Sequence, residues 1–490
     1  MKQSLSELKS KCKSSVYPLL PFFHYKRIVL GCSFVLLLLV LSAILSIAHQ
    51  RQEHILHYEQ NIEVLSFKEK LFVAVDDTLL DTAIQAGKCQ KLSTSIDGNI
   101  AAFLTDSKEL YLVNGRNLRK IADDVLHFEI SSSGEGIAFA QKYAKQNALT
   151  LYDLAEETRK EITTLLSSLD FSLSPDGQSV AYYVEKDKRE ILMCYRNGQS
   201  SQICMDETDL VGLSNDCKYI YAVCPNSDGT SGLYSFNSKG NAKELGPVTS
   251  ISFKFNHDHR QVMFYNNGNT LISVNGEPAV TASSYPLYLV TAANSQSASD
   301  GNAITLPVTT LFDHIYTCSD GEATSAWLIR KDTSKSEKIV SRVSGCTLDS
   351  SAEYLYFIQD HSKLCMMNVE NGISKIHTLS EDADSYAVTG NRKRVYYTND
   401  SSLYSTSGLK SAESHLITSD FTGYNLVVGA SNTLYFLQGS DVYACKNGKH
   451  ATLITQNVSS LYNSSNNIVY IIGEDNVYIA STKKQPDKIL

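Results

Sequence analysis

From about Asn61 onward, hydrophobic and polar residues alternate in short runs broken by turn signals. The clearest stretch is Leu169 to Val184, LDFSLSPDGQSVAYYV. Leu169, Phe171 and Leu173 alternate with polar neighbours, the period of a half-buried strand. Ser174-Pro-Asp-Gly177 then supplies a turn. Pro presets one backbone angle, Asp bonds the turn backbone, and Gly tolerates positive φ. Val180 to Val184 is a β-branched and aromatic run, the residue types that favour a pleated surface.

Degenerate copies of this strand-turn-strand unit recur along the chain. They include Ser95-Ile-Asp-Gly98 with Ile100 to Leu104, Ser131 to Gly134 with Ile137 to Ala140, and Ser214 to Cys217 with Tyr219 to Val223. Later copies pair Ser319-Asp-Gly321 with Ala326 to Ile329, Asp349 to Ala352 with Tyr354 to Ile358, and Gly390 with Val395-Tyr-Tyr397. A weak first copy sits at Ile62 to Asp81. There are about eleven copies, most about 30–43 residues apart, and four strands in about 40 residues is the size of a propeller blade. No amphipathic helix of ordinary length interrupts them. The fold class expected is therefore all-β, built from four-stranded β-propeller blades. One blade cannot cover both of its own faces, and stacking blades buries them.

Single propellers typically hold about four to eight blades. The count therefore points to two rings, divided where the spacing is longest. That interval contains the low-complexity piece Ala292 to Asn302. The organisation expected is repeats over 61–280, a linker or insertion at 281–312, and repeats over 313–485. A single larger ring, or fewer true blades, stays open as the alternative.

The N-terminal end has a different pattern. Ile28 to Ala48 is 21 residues without a charge, long enough as a helix to cross a bilayer core. Residues 1–27 carry six basic residues against Glu7 alone. The positive-inside rule then places 1–27 in the cytoplasm, 28–48 in the membrane, 49–60 as a spacer, and the remainder outside the cell membrane. A cleaved signal peptide is the rival reading, and the long apolar run argues against it. The formal net charge is −8. The tail is net positive, so the remainder is more acidic than the whole chain, which disfavours a nucleic-acid partner.

There are 11 cysteines. Cys12 and Cys32 fall in the tail and span, and the rest show no disulfide spacing. Cys194 and Cys204 flank the Asn197-Gly198 turn, but a two-residue turn there sets Cys194 opposite Ser201 and Cys204 opposite Ile191. Core-filling thiols are the expectation, which suits a low-oxygen exterior better than an oxidising one. The sequons at Asn399, Asn457 and Asn463 carry no weight in an Asn- and Ser-rich chain.

The unit Ser174-Pro-Asp-Gly177 with Val180-Ala-Tyr-Tyr183 resembles the TolB-like (WD40-like) propeller repeat. The same pattern occurs in the propellers of the prolyl oligopeptidase and dipeptidyl peptidase IV families. Copies such as Arg394-Val-Tyr-Tyr397 with Leu403-Tyr404 look more like the Tyr-rich propeller repeats of bacterial surface proteins. The resemblance spans roughly residues 60–485, with one copy matching the motif in full. It implies a protein- or ligand-binding platform outside the cytoplasmic membrane.

Catalytic signatures are absent from the sequence. There is no Gly-x-Ser-x-Gly elbow, phosphate loop, His-Glu-x-x-His or Cys-x-x-Cys. Trp327 alone cannot supply a series of sialidase-type boxes. His257 and His259 of Asn256-His-Asp-His-Arg260 would share a face if extended, yet they sit where other copies have their turn. Asn226-Ser-Asp-Gly229, Asp97, Asp176 and Asp320 read as turn chemistry, and the Leu-Tyr pairs as blade packing. No catalytic, cofactor-binding or metal-ligating residue is assigned and no cofactor is expected. The function expected is a non-enzymatic, membrane-anchored scaffold or sensor binding a protein or glycan. The alternative is a glycan- or peptide-processing enzyme whose site is assembled from different blades.

Overall fold

The alternating runs fold as strands joined by hairpins. The computed structural model describes most of the chain between Ile62 and Lys488; residues 1–61, 290–303, 306–314 and several shorter stretches lie outside the description. The expected tail, membrane segment and spacer (1–27, 28–48, 49–60) thus fall outside the described residues. Among the described residues every regular element is a β-strand, and no helix is long and apolar enough to cross a membrane.

The described strands make nine sheets of four and one of eight. The larger sheet is two four-strand arrays touching through one pair, Leu166 with Val184. In chain order the four-strand arrays begin with unit one (Ile62–Gln85), two (Cys89–Ala122), three (Val125–Leu166), four (Ser172–Cys204), five (Asp209–Val248) and six (Lys254–Ser283). They continue with unit seven (Tyr288–Ser341), eight (Val343–Ser380), nine (Ser385–Thr418), ten (Leu426–Thr455) and eleven (Val458–Lys488). Within almost every unit the strands run up and down in sequence order, the meander of a propeller blade.

The second strand of each unit explains why the units stack. In unit two, Ala101 and Phe103 join the apolar cluster shared with unit one, whereas Ala102 and Leu104 join that shared with unit three. In unit three, Ile137 and Phe139 face unit two, and Ala138 and Ala140 face unit four. Both faces are buried, so these strands read as continuous apolar runs. Each fully buried Leu, Ile or Phe among them contributes about 1.5–3 kcal/mol. The same sharing continues to the last pair, where Val442 and Ala444 pack with Leu461 and Ile471. It also crosses the 281–312 interval, through Met263 and Ile272 with Leu287 and Ile329.

The Leu-Tyr pairs serve this packing. Tyr111 stacks on Phe103 directly across the ladder at 5.2 Å between ring centroids. Tyr404 on Tyr397 and Tyr443 on Phe436 repeat the arrangement at 5.3 and 5.6 Å.

In units two to six, eight and nine the first turn is held by one buried polar side chain at its start. Ser174 Oγ accepts the Ser179 N–H at 2.9 Å and donates to Asp176 Oδ1 at 2.5 Å. Ser131 accepts from Gly136 N, Ser214 from Tyr219 N, Asn256 from Gln261 N, Asp349 from Tyr354 N and Thr389 from Arg394 N. Adjacent turns are also linked. Ser133 N donates to Pro175 O at 2.9 Å, and Asp176 N to Asn215 Oδ1 at 2.8 Å.

Four details differ from the sequence reading. Leu169 is 38% exposed and precedes the strand, which is only Ser172–Leu173. Cys204 pairs with Leu192 rather than Ile191, because a bulge between Leu192 and Met193 absorbs one residue; Cys194 does face Ser201. In unit seven the Ser319-to-Thr324 connection is the second hairpin, not the first. The first strand there is Tyr288–Leu289, paired with Tyr316 and Thr317, so the long interval separates first and second strands of one sheet. Finally, Ile304–Thr305 pairs with Val64 and Leu65 of unit one. That pairing supplies the strand that the weak first copy lacks.

Candidate functional site

The first strands of successive units contact one another, notably those of units two, three, four and five. They line a shared edge, and one ionisable group assembles there. Counting back four residues from the turn-opening serines Ser95, Ser131 and Ser174 gives Lys91, His127 and Asp170. These are equivalent positions in three consecutive repeats. Glu129 lies two residues before Ser131 on the same strand as His127.

Lys91 Nζ donates to Phe128 O at 2.7 Å and lies 3.4 Å from His127 Nε2. It also stands over the Phe128 ring, 5.0 Å from its centroid. Glu129 Oε2 accepts the Leu173 N–H from unit four at 2.8 Å. The His127 ring meets Phe171 edge-on at 5.2 Å. Glu129 and His127 pair across the ladder with Ala138 and Ala140, small residues that leave space beside them.

The three groups are half-buried, and their environment alters each of them. Burial pushes the Glu129 carboxyl up to about 7, against the opposing Leu173 hydrogen bond and Lys91 charge. Burial, then the Lys91 charge, pushes His127 down to about 4. Burial also lowers Lys91, with Glu129 pulling the other way. At neutral pH His127 is uncharged. Its Nε2 then accepts from the lysine, and the ring proton sits on Nδ1. The edge thus offers an ammonium, a neutral imidazole and a carboxyl that gains or loses its proton near pH 7. Such perturbed sets gather at functional sites.

Sequence reading missed all of these residues. Each looks like one polar residue in a strand, and only alignment of first strands at the turn serine shows that positions four and two residues back carry the variable chemistry. The residues that did draw notice are turns. Asp176 accepts from Ser174 and from Gln178 N. His259 has φ 55° and stacks on Phe255 at 4.6 Å, with Nδ1 3.1 Å from Leu213 O. Asp228 bonds Thr230 within its own hairpin. His257, Asp97 and Asp320 lie outside the described residues. Among the described residues no three His, Cys, Asp or Glu side chains gather in a metal-holding group.

A concavity of about 460 Å³ lies between units ten and eleven, lined by Ser440, Gln456, Asn457, Ser459, Asn476 and Tyr478. It contains no ionised side chain, and the sequon residue Asn457 in it has φ 57°, a turn position.

No family model and no curated protein matches the chain. Solved structures similar to it include a putative TolB from Agrobacterium tumefaciens, at 16% identity over 46% of this chain and 92% of that one, with a TM-score of 0.31. TolB from Acinetobacter baumannii is 14% identical over 55% of this chain and 76% of its own, with a TM-score of 0.30. The β-propeller domain of the Trilobed protease from Pyrococcus furiosus is 12% identical over 61% of this chain and 99% of its own, with a TM-score of 0.34. The class assignment stands on the sheet order and shared clusters described above: an all-β, propeller-type repeat protein with a TolB-like sequence unit.

Proposed function

We propose that the chain is a single-pass membrane protein, anchored by residues 28–48, that displays a propeller-type scaffold outside the cytoplasm. The scaffold binds a protein or glycan and performs no catalysis. The observation that carries this reading is the Lys91–His127–Glu129 group, set on the edge where first strands meet and backed by a frame of shared apolar clusters. An ammonium, an imidazole and a carboxyl side by side provide both donors and acceptors for hydroxyl- or amide-rich ligands. We read the pairing of Ile304–Thr305 onto unit one as a closing contact of the propeller array.

The test uses the full chain in lipid nanodiscs, presented to immobilised glycan and peptide arrays. Binding weakened at least about 10-fold by both Lys91→Met and Glu129→Gln supports the reading, about 1.4 kcal/mol of lost affinity. Binding that neither change touches removes the site. Labelling of Cys12 only after the membrane is opened from the cytoplasmic side checks the topology.

The second reading is a glycan- or peptide-processing enzyme. It is favoured by a carboxyl poised near pH 7 beside a lysine of lowered pKa, the pattern of acid–base catalysis. Turnover abolished by Glu129→Gln would establish it in place of the binding role.

A further inference from the structure

Two thiols from different repeats meet inside the junction of units four and five. Cys194 lies on the strand Arg189–Arg196 of unit four, and Cys217 in the turn between the first two strands of unit five. Their sulfurs are 3.6 Å apart. Both residues are buried, at 2% and 0% exposure, within the apolar cluster that joins the two units.

The place of Cys217 in the turn sets where its side chain points. Its φ is 49°, at the position where the turns of units two, three and four have Gly98, Gly134 and Gly177 with φ of 68°, 75° and 72°. Other units place His259, Arg392 and Asn432 there, with φ of 55°, 59° and 58°, so the position accepts a side chain as well as glycine. A Cβ added at Gly134 would point back at Ser95, and one at Gly177 at Gly136, each in the preceding unit. The Cys217 side chain likewise reaches the preceding unit, and the atom it meets there is the Cys194 sulfur.

We infer that Cys194 and Cys217 form a disulfide when the folded chain meets a disulfide oxidant, fastening unit four to unit five. One protein thiolate attacks the external disulfide, giving a mixed disulfide and releasing one thiol. The other protein thiolate then attacks the mixed disulfide and releases the second thiol. Two electrons pass to the oxidant, whose S–S bond breaks as the protein's forms, and the two protein protons end on the released thiols. Because both sulfurs are buried, exchange requires brief opening of the junction. The inference does not depend on the ligand-binding reading.

The test incubates the full chain in nanodiscs with oxidised glutathione, quenches in acid, alkylates under denaturing conditions and maps the peptides. The expected result is one linked pair, Cys194 to Cys217, reversed by dithiothreitol, while the buried Cys365 and Cys445 are alkylated. Oxidation raises the Tm of the wild type and leaves that of Cys217→Gly unchanged. That variant keeps the turn, because glycine holds this position in other units. Full alkylation of both thiols after oxidation, glutathione adducts with no link, or a link from either to another cysteine would overturn the inference.

Discussion

The first strands of units two to four and of units eight to ten occupy the same place in the repeat, yet they carry different chemistry. Four and two residues before the turn, the early units carry Lys91 and Ser93, His127 and Glu129, and Asp170 and Ser172. The corresponding residues later are Gly345 and Thr347, Ser385 and Ala387, and, two residues back in unit ten, Val427. The later edge is closed by a structural contact instead: the Tyr386 hydroxyl donates to Tyr356 O at 2.7 Å and also reaches Gly345 O. The backbone and the apolar second strands are shared by both regions, so the frame is independent of what its edge displays. A repeat of this kind can change a few first-strand residues without altering its packing.

The sharpest way to break this comparison is to attack the frame in both regions. Phe139 and Phe357 are each 0% exposed on second strands of units three and eight. Replacement of either by Ala is expected to cost about 3–5 kcal/mol, measured by chemical denaturation. Clearly unequal losses would show that the two frames are not equivalent. Next in size is Asp349→Ala. The Asp349 side chain accepts the Tyr354 N–H and lies 3.5 Å from Arg392, whose guanidinium also pairs with Glu353. Leaving the Tyr354 N–H without this acceptor is expected to cost about 2–3 kcal/mol.

The polar edge predicts a pH signature that the later units lack. Glu129 in the folded chain titrates at about 7, above its ordinary 4.5. The folded state therefore holds a proton that the unfolded state has lost, and stability falls as pH rises between these values. His127 titrates at about 4, below its ordinary 6.5. There the unfolded state binds the extra proton, and stability rises with pH across that window. The two slopes oppose each other in the wild type. Glu129→Gln should expose the rising slope and His127→Gln the falling one, each on the order of 2 kcal/mol over its window. Denaturation midpoints from pH 4 to 8 measure them; parallel curves for all three proteins would contradict the assignment. The smallest effect expected is Asp176→Ala, at about 1 kcal/mol or less. It should leave ligand binding unchanged, because the Asp176 side chain bonds its own turn.

Much of the fold was legible because its determinants are local. Period-2 runs specify strands, Ser-Pro-Asp-Gly specifies the turn, and Asn197-Gly198 specifies the hairpin that sets Cys194 opposite Ser201. Errors arose where the spacing between paired strands changes with no turn signal. The bulge beside Leu192 is one, and the long first connection of unit seven is another. The candidate site was illegible for a different reason. Lys91 and His127 are separated by 36 residues, and the contact between them depends on how two blades stack.

The sequence by itself determined that this is an all-β array of repeated four-stranded units, since every decisive signal lies within a few residues of its partner. Only the tertiary structure decided which polar residues converge at the first-strand edge, that Cys217 faces Cys194, and that Ile304–Thr305 completes the sheet of unit one. Those outcomes depend on contacts between units, and spacing along the chain carries no record of which side chains the stacking of sheets brings together.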